Sequence, residues 1–180
     1  MNSGAAVKLG GAAASKTPVT ILGIDPGLNT TGYGVIRVQH GEFQLIEAGV
    51  IRSRAKASIE NRLAEIYSGL VEVLQDHHPQ FVALEQLFSH YSRPKTAILM
   101  GHARGVICLA AAQAQVPVKS FEPTKVKKVM TGNGHAPKHQ MQLAVKLQLN
   151  LPNIPEPADV ADALAIAICG FHLNHNPLVT

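Results

Sequence analysis

A short apolar run that stops on one carboxylate most constrains what this chain can fold into. It reads Thr20-Ile21-Leu22-Gly23-Ile24-Asp25-Pro26-Gly27 and continues through Asn29 to Gly32-Tyr33-Gly34-Val35-Ile36. The apolar run reads as a buried strand, and Pro-Gly directly after it marks a tight turn into a second strand. Asp25 therefore stands at the open end of a buried strand. The glycines around it leave room for something bulky to approach the backbone. A carboxylate in such a place is either a turn cap or a ligand for a cation or a phosphate-bound metal. Partners elsewhere in the chain must decide between the two.

The rest of the chain supplies a frame for that strand. Residues 1–18 are rich in Gly, Ala, Ser and Lys and read as a disordered extension. A single domain is expected over residues 19–175, followed by a short tail at 176–180. Strands are expected at 19–25, 32–39 and 43–51, the last two joined by a hairpin at His40-Gly41. Ile59, Leu63, Ile66, Leu70 and Val73/Leu74 recur at helical spacing, with Ser58 placed to cap that helix and His77-His78-Pro79 to end it. Gln80–Leu84 reads as a strand running into Glu85. Further helices are expected at 95–114, 123–130, 137–149 and 158–172, with a strand at 116–121. Three meandering strands followed by helix-separated strands predict a mixed five-stranded α/β sheet with helices on its faces. The first and fourth strands lie side by side if the helix between them crosses over.

Composition sets the limits of function. Apolar residues make up 46% of the 180 and charged residues 16%, which suits a packed core rather than disorder. The net charge of +4, with nine histidines besides, permits a polyanionic partner without establishing one. Cys108 and Cys169 lie far apart in apolar runs and read as reduced, buried thiols. The apolar runs are too short or too interrupted to span a bilayer.

Three more carboxylates answer the question raised by Asp25. Glu85 follows Phe81-Val82-Ala83-Leu84 as Asp25 follows Ile21-Leu22-Gly23-Ile24. If the two strands are adjacent and parallel, both acids emerge at the same sheet edge. In Pro157-Ala158-Asp159-Val160-Ala161-Asp162-Ala163-Leu164, the two aspartates are three apart and share one face near the start of an otherwise apolar helix. Acids are also favoured there by the helix dipole, so a plain N-cap is the alternative for Asp159. Four converging acids repel one another unless a cation lies between them. Oxygen-only ligands suit Mg²⁺ or Mn²⁺, and two such ions suit phosphodiester cleavage, with the glycines after Asp25 keeping the approach to the metals open for a DNA backbone.

The strings GIDPGLNTTGYGVI, ALEQLF, GHARGV and ADVADALAIA resemble, in order across residues 20–172, the RuvC family of Holliday-junction resolvases. The resemblance implies an RNase H-like fold, a homodimer, and Mg²⁺-dependent paired nicking of four-way junction DNA. It implies two ions per site, with Mn²⁺ as a substitute, and water attack leaving 5′-phosphate and 3′-hydroxyl ends. It further implies a bacterial, cytoplasmic role in recombination and repair beside the RuvA–RuvB branch-migration complex. Asp25, Glu85, Asp159 and Asp162 match the family's catalytic acids. Phe88 matches an aromatic set against junction bases, a role that base stacking supports, although core packing would suit it as well. Lys127 and Lys138 match lysines that support DNA binding or catalysis, while lysines on a helix otherwise mark a solvated face. Arg93 and Lys95, beside Phe88, could grip the DNA backbone. Ser89–Lys95 departs from the family wording, which leaves the sequence preference at the cut open.

Two other classes share parts of this pattern. A sugar-kinase or actin-like ATPase also sets an acid before a Gly-rich hairpin, but it needs a second similar half, and no repeat is visible here. A non-catalytic junction-binding module would lack the acids. The small residues of 97–114 allow close helix approach, either within one subunit or across a two-fold axis.

Overall fold

The computed structural model describes residues 17–87 and 94–175. The elements are β1 (Val19–Asp25), β2 (Thr30–Gln39), β3 (Glu42–Arg52), α1 (Ile59–His77), β4 (Phe81–Glu85), α2 (Pro94–Gln113), β5 (Val118–Phe121), α3 (Pro123–Thr131), α4 (Lys138–Gln148) and α5 (Ala158–His175). One five-stranded sheet has the order β3-β2-β1-β4-β5. β1 to β3 form the antiparallel meander, while β4 lies parallel to both β1 and β5. The helix α1 therefore does cross over, and β1 and β4 are neighbours. Residues 1–16 and 176–180 lie outside the described residues, as do Phe88 and Arg93.

Local chemistry explains most boundaries. His40 and Gly41 both have positive φ (52° and 84°), as a two-residue hairpin turn requires. His78 closes α1 in the left-handed region, its N–H bonded to the Leu74 carbonyl. Ser58 occupies the expected N-cap position of α1, but its side chain makes no capping hydrogen bond. Its hydroxyl instead serves the Glu60 carboxylate, holding that group below its usual range. Asp159 lies inside the first turn of α5 rather than at its cap.

Strand alternation splits the core into two layers. Ile21, Ile36, Phe81 and Ala83 face α3, α4 and α5, where they meet Val126, Val145, Leu164 and Ile168. Leu22, Ile24, Val35, Val82 and Leu84 face α1 and α2, where they meet Ile66, Leu70, Ile107 and Ala110. Cys169 is buried and Cys108 half-buried, both as free thiols. Among the described residues, no helix is long and apolar enough to cross a membrane.

The glycines of the opening stretch serve a purpose other than the one expected. The bulky group that approaches them is the chain's own α5. A methyl group on Gly23 would run into the Ala163 carbonyl and come within 2.8 Å of the Ala167 Cβ. One on Gly32 would strike the backbone of Asp159. These positions keep α5 tight against the sheet, and so set where its two aspartates stand.

Candidate active site

Register brings the first two acids together. Ile24 pairs with Leu84 across the parallel β1–β4 ladder, so Asp25 and Glu85 follow on neighbouring strands at the same sheet edge. Ile24 and Leu84 point toward α1 and α2. By alternation Asp25 and Glu85 face the opposite side, which α5 covers. There the first turns of α5 present Asp159 and Asp162. The sheet thus contributes two acids and the helix two more, as the spacing in sequence predicts.

A cleft of about 340 Å³ opens at this edge. Asp25, Glu85, Asp162, Lys127 and Lys138 supply its charges, and Val126, Met141 and Ile166 form part of its apolar wall. Asp159 does not line the cleft, but its charge is felt by Asp25 and Lys138. Burial first, and then the fields of Glu85, Asp162 and Asp159, push Asp25 up to about 8 against the pull of Lys138. Asp25 thus holds a proton at neutral pH and shares it in a hydrogen bond with Glu85. Glu85 is itself raised by burial and by Asp162, with that hydrogen bond and Lys127 acting the other way. Lys138 Nζ lies 3.1 Å from Asp162 Oδ2, and this hydrogen bond raises the ammonium's pKa.

The donor set is oxygen only at the acids, the chemistry of a hard divalent cation. The four carboxylates share one electrostatic site without closing into a cage. Among the described residues, no three acidic, histidine or cysteine side chains form a ready-made metal cluster. The charge is balanced in two pairs instead, with a proton between Asp25 and Glu85 and the Lys138 ammonium on Asp162.

The five lysines clustered in sequence part company in space. Lys127 and Lys138 reach the cleft. Lys119 sits 5.0 Å over the Phe81 ring and bonds Asn174. Lys125 lies close enough to Cys169 to act on its thiol, and Lys128 is exposed. Lys95 is exposed in the first turn of α2.

Several side chains position the site, and of these Arg104, in His102-Ala103-Arg104, reads from the sequence as structural. Arg104 reaches from α2 to the Glu85 carbonyl and the Ser120 hydroxyl, both at 2.5 Å, and ties the ends of β4 and β5. Thr31 Oγ1 donates to the Gly27 carbonyl at 2.7 Å. Ser53 Oγ donates to the Leu28 carbonyl at 2.5 Å, and Arg62 bonds both Ser53 and Asn29. These contacts fix the turn after Asp25. The partners of Arg62 lie 9 and 33 residues away in sequence, so only the strand register reveals them.

The match to known proteins covers most of the chain. Residues 21–170 fit the family model described as crossover junction endodeoxyribonuclease RuvC. A relative of that name from Rhodopirellula baltica is 66% identical over 158 residues, covering 88% of this chain and 89% of the relative. One from Alkaliphilus metalliredigens is 42% identical over 155 residues, covering 86% and 94%. The structure of Thermus thermophilus RuvC in complex with Holliday junction substrate superposes with a TM-score of 0.83 at 33% identity, covering 87% of this chain and 95% of that one.

Proposed function

Because the chain belongs to the RuvC family of crossover junction endodeoxyribonucleases, we propose that its acid-lined cleft is the catalytic centre, with Asp25, Glu85, Asp159 and Asp162 as the four catalytic and metal-holding acids. The chain is an RNase H-like nuclease of the Holliday-junction-resolving kind. The observation that carries the site is the placement of Asp25 and Glu85 at adjacent parallel strand ends, facing the first turns of α5. The reading places the whole activity in one domain over residues 19–175.

The substrate is four-way junction DNA, nicked in symmetrical pairs. The donor chemistry suits two Mg²⁺ ions, with Mn²⁺ as a substitute. Bound by the four acids, such a pair would supply an activated water and stabilise the departing oxygen of a phosphodiester. To receive it, Asp25 gives up the proton it shares with Glu85, and Asp162 gives up its ion pair with Lys138. The freed Lys138 ammonium is then placed to meet a non-bridging phosphate oxygen, with Lys127 on the cleft wall. Breakage of the P–O3′ bond leaves a 5′-phosphate and a 3′-hydroxyl. Phe88 would serve to stack on a junction base, and Arg93 and Lys95 to hold the DNA backbone.

The enzyme works as a homodimer in the bacterial cytoplasm, alongside RuvA–RuvB. The outward face of α2 supports the dimer. Ile98, Gly101, His102, Gly105 and Leu109 lie on one side of that helix and are exposed. The small residues of this segment divide: Ala103, Ala110 and Ala111 pack inward, whereas Gly101 and Gly105 meet nothing within 4 Å of a built Cβ.

Asp25→Asn tests the assignment on a synthetic four-way junction. Cutting is expected to be abolished, with binding largely preserved. Retained cutting would sink it. Immobile and branch-migrating junctions, each with Mg²⁺ and with Mn²⁺, report metal use and cut-site preference in the same assay.

A further inference from the structure

The carboxyl end of the sheet has a second flank that the catalytic site leaves unused. Lys127 and Lys138 stand on the side covered by α3, α4 and α5. Across β1 and β2, strand β3 ends on Arg52 and runs on as Ser53-Arg54-Ala55-Lys56. Asp25 pairs with Gly32, and Gly32 with Val50, so Asp25 and Val50 are separated by two strand spacings. That is about 10 Å. Arg52 lies two residues beyond Val50 toward the same sheet end.

This strap is fastened by hydrogen bonds to the turn that follows Asp25. The Ser53 N–H donates to the Asn29 carbonyl at 3.1 Å, and its hydroxyl to Leu28 at 2.5 Å. The Arg54 N–H and Nε–H donate to the two Glu65 oxygens at 2.8 and 2.5 Å, and the Ala57 N–H closes on the Arg54 carbonyl at 2.9 Å. Arg54 and Arg62 are therefore committed to holding the strap. The side chains of Arg52 and Lys56 are exposed and make no hydrogen bond or ion pair among the described residues. From Arg52 to Glu65 the chain carries four cations against two carboxylates, Glu60 and Glu65.

Two unpaired cations on a pre-formed strap beside the acids match a phosphodiester backbone. Each phosphate they neutralise releases condensed counterions, and a fixed strap needs little ordering to do so. We infer that Arg52 and Lys56 form a second phosphate-binding strip, gripping the DNA strand on the flank of Asp25 opposite Lys127 and Lys138. At a rise of 3.4 Å per nucleotide, Arg52, roughly 12 Å from Asp25, lies about three to four nucleotides from the bond held at the acids. The inference rests on the junction-nuclease reading and extends the DNA path beyond the cleft.

The test is the salt dependence of junction binding by the full chain, measured without divalent ions so that no cutting occurs. The double variant Arg52→Gln/Lys56→Gln is expected to bind more weakly, with a log–log salt slope shallower by about two. The charge-retaining pair Arg52→Lys/Lys56→Arg should keep the wild-type slope. Arg37→Gln removes an exposed charge at the opposite end of the sheet, where Arg37 pairs with Thr20, and should leave the slope unchanged. A wild-type slope in the double variant, or an equal loss in Arg37→Gln, overturns the strip while leaving the nuclease assignment intact. Absence of junction binding by the wild type overturns both.

Discussion

Asp25 has the most perturbed chemistry among the site residues, and its proton makes a thermodynamic prediction. Its pKa rises from 3.8 to about 8 on folding, chiefly through burial and then through its acidic neighbours. A carboxyl raised in this way contributes stability below about pH 4 and loses it as pH climbs through 8. Glu85 is shifted in the same direction. Without divalent ions, then, this site should lower stability steadily from pH 4 to 8, the reverse of a salt-bridged carboxylate. A cation binding the ionised acids competes with that proton. Millimolar Mg²⁺ should therefore raise the melting temperature more at pH 8 than at pH 5, by on the order of a few degrees. Asp25→Asn should remove most of the difference. A Mg²⁺ increment that is equal at both pH values would count against the acids as the cation site.

At the scale of elements, α5 is where sequence and structure diverge in an instructive way. Its aspartates could be read from their spacing, and its burial from the run of alanine, leucine and isoleucine after them. The glycines in β1 and β2 read as an open approach for DNA and are instead filled by α5, because a glycine in a strand shows that something comes close without saying what. Register resolves this: Gly23 lies on the same strand face as Asp25, against Ala163 and Ala167. Overpacking at a well-packed interface costs about 1–3 kcal/mol, and here the obstruction is backbone. Gly23→Ala should thus lower stability by at least that amount in chemical denaturation. Gly32→Ala meets Asp159 itself, so it should reduce junction cutting beyond what its loss of stability explains. Wild-type stability and cutting in both variants would mean that α5 does not need this close approach.

For the whole molecule, the sheet and its central acids were legible because each depends on short-range pattern: alternation, turn residues and helical spacing. The partners of the tethers were not legible. Arg104 on Glu85 and Arg62 on Asn29 join residues that only the finished fold makes neighbours. The outward face of α2 lies between these cases, since its small residues were visible but their partition between inside and outside was not. Ile98 is 61% exposed and Leu109 51%, on a face whose glycines invite close packing. An isologous dimer built there would pair two clefts for the two strands of one junction. Leu109→Glu should give a monomer by sedimentation while changing the stability of the isolated chain by no more than about 0.5 kcal/mol, as for other exposed sites. Such a monomer keeps its acids, so it should still nick but lose the pairing of cuts, and nicked junctions should accumulate in place of resolved duplexes. A wild-type chain that sediments as a monomer while making paired cuts would place the symmetry of the reaction elsewhere than on α2.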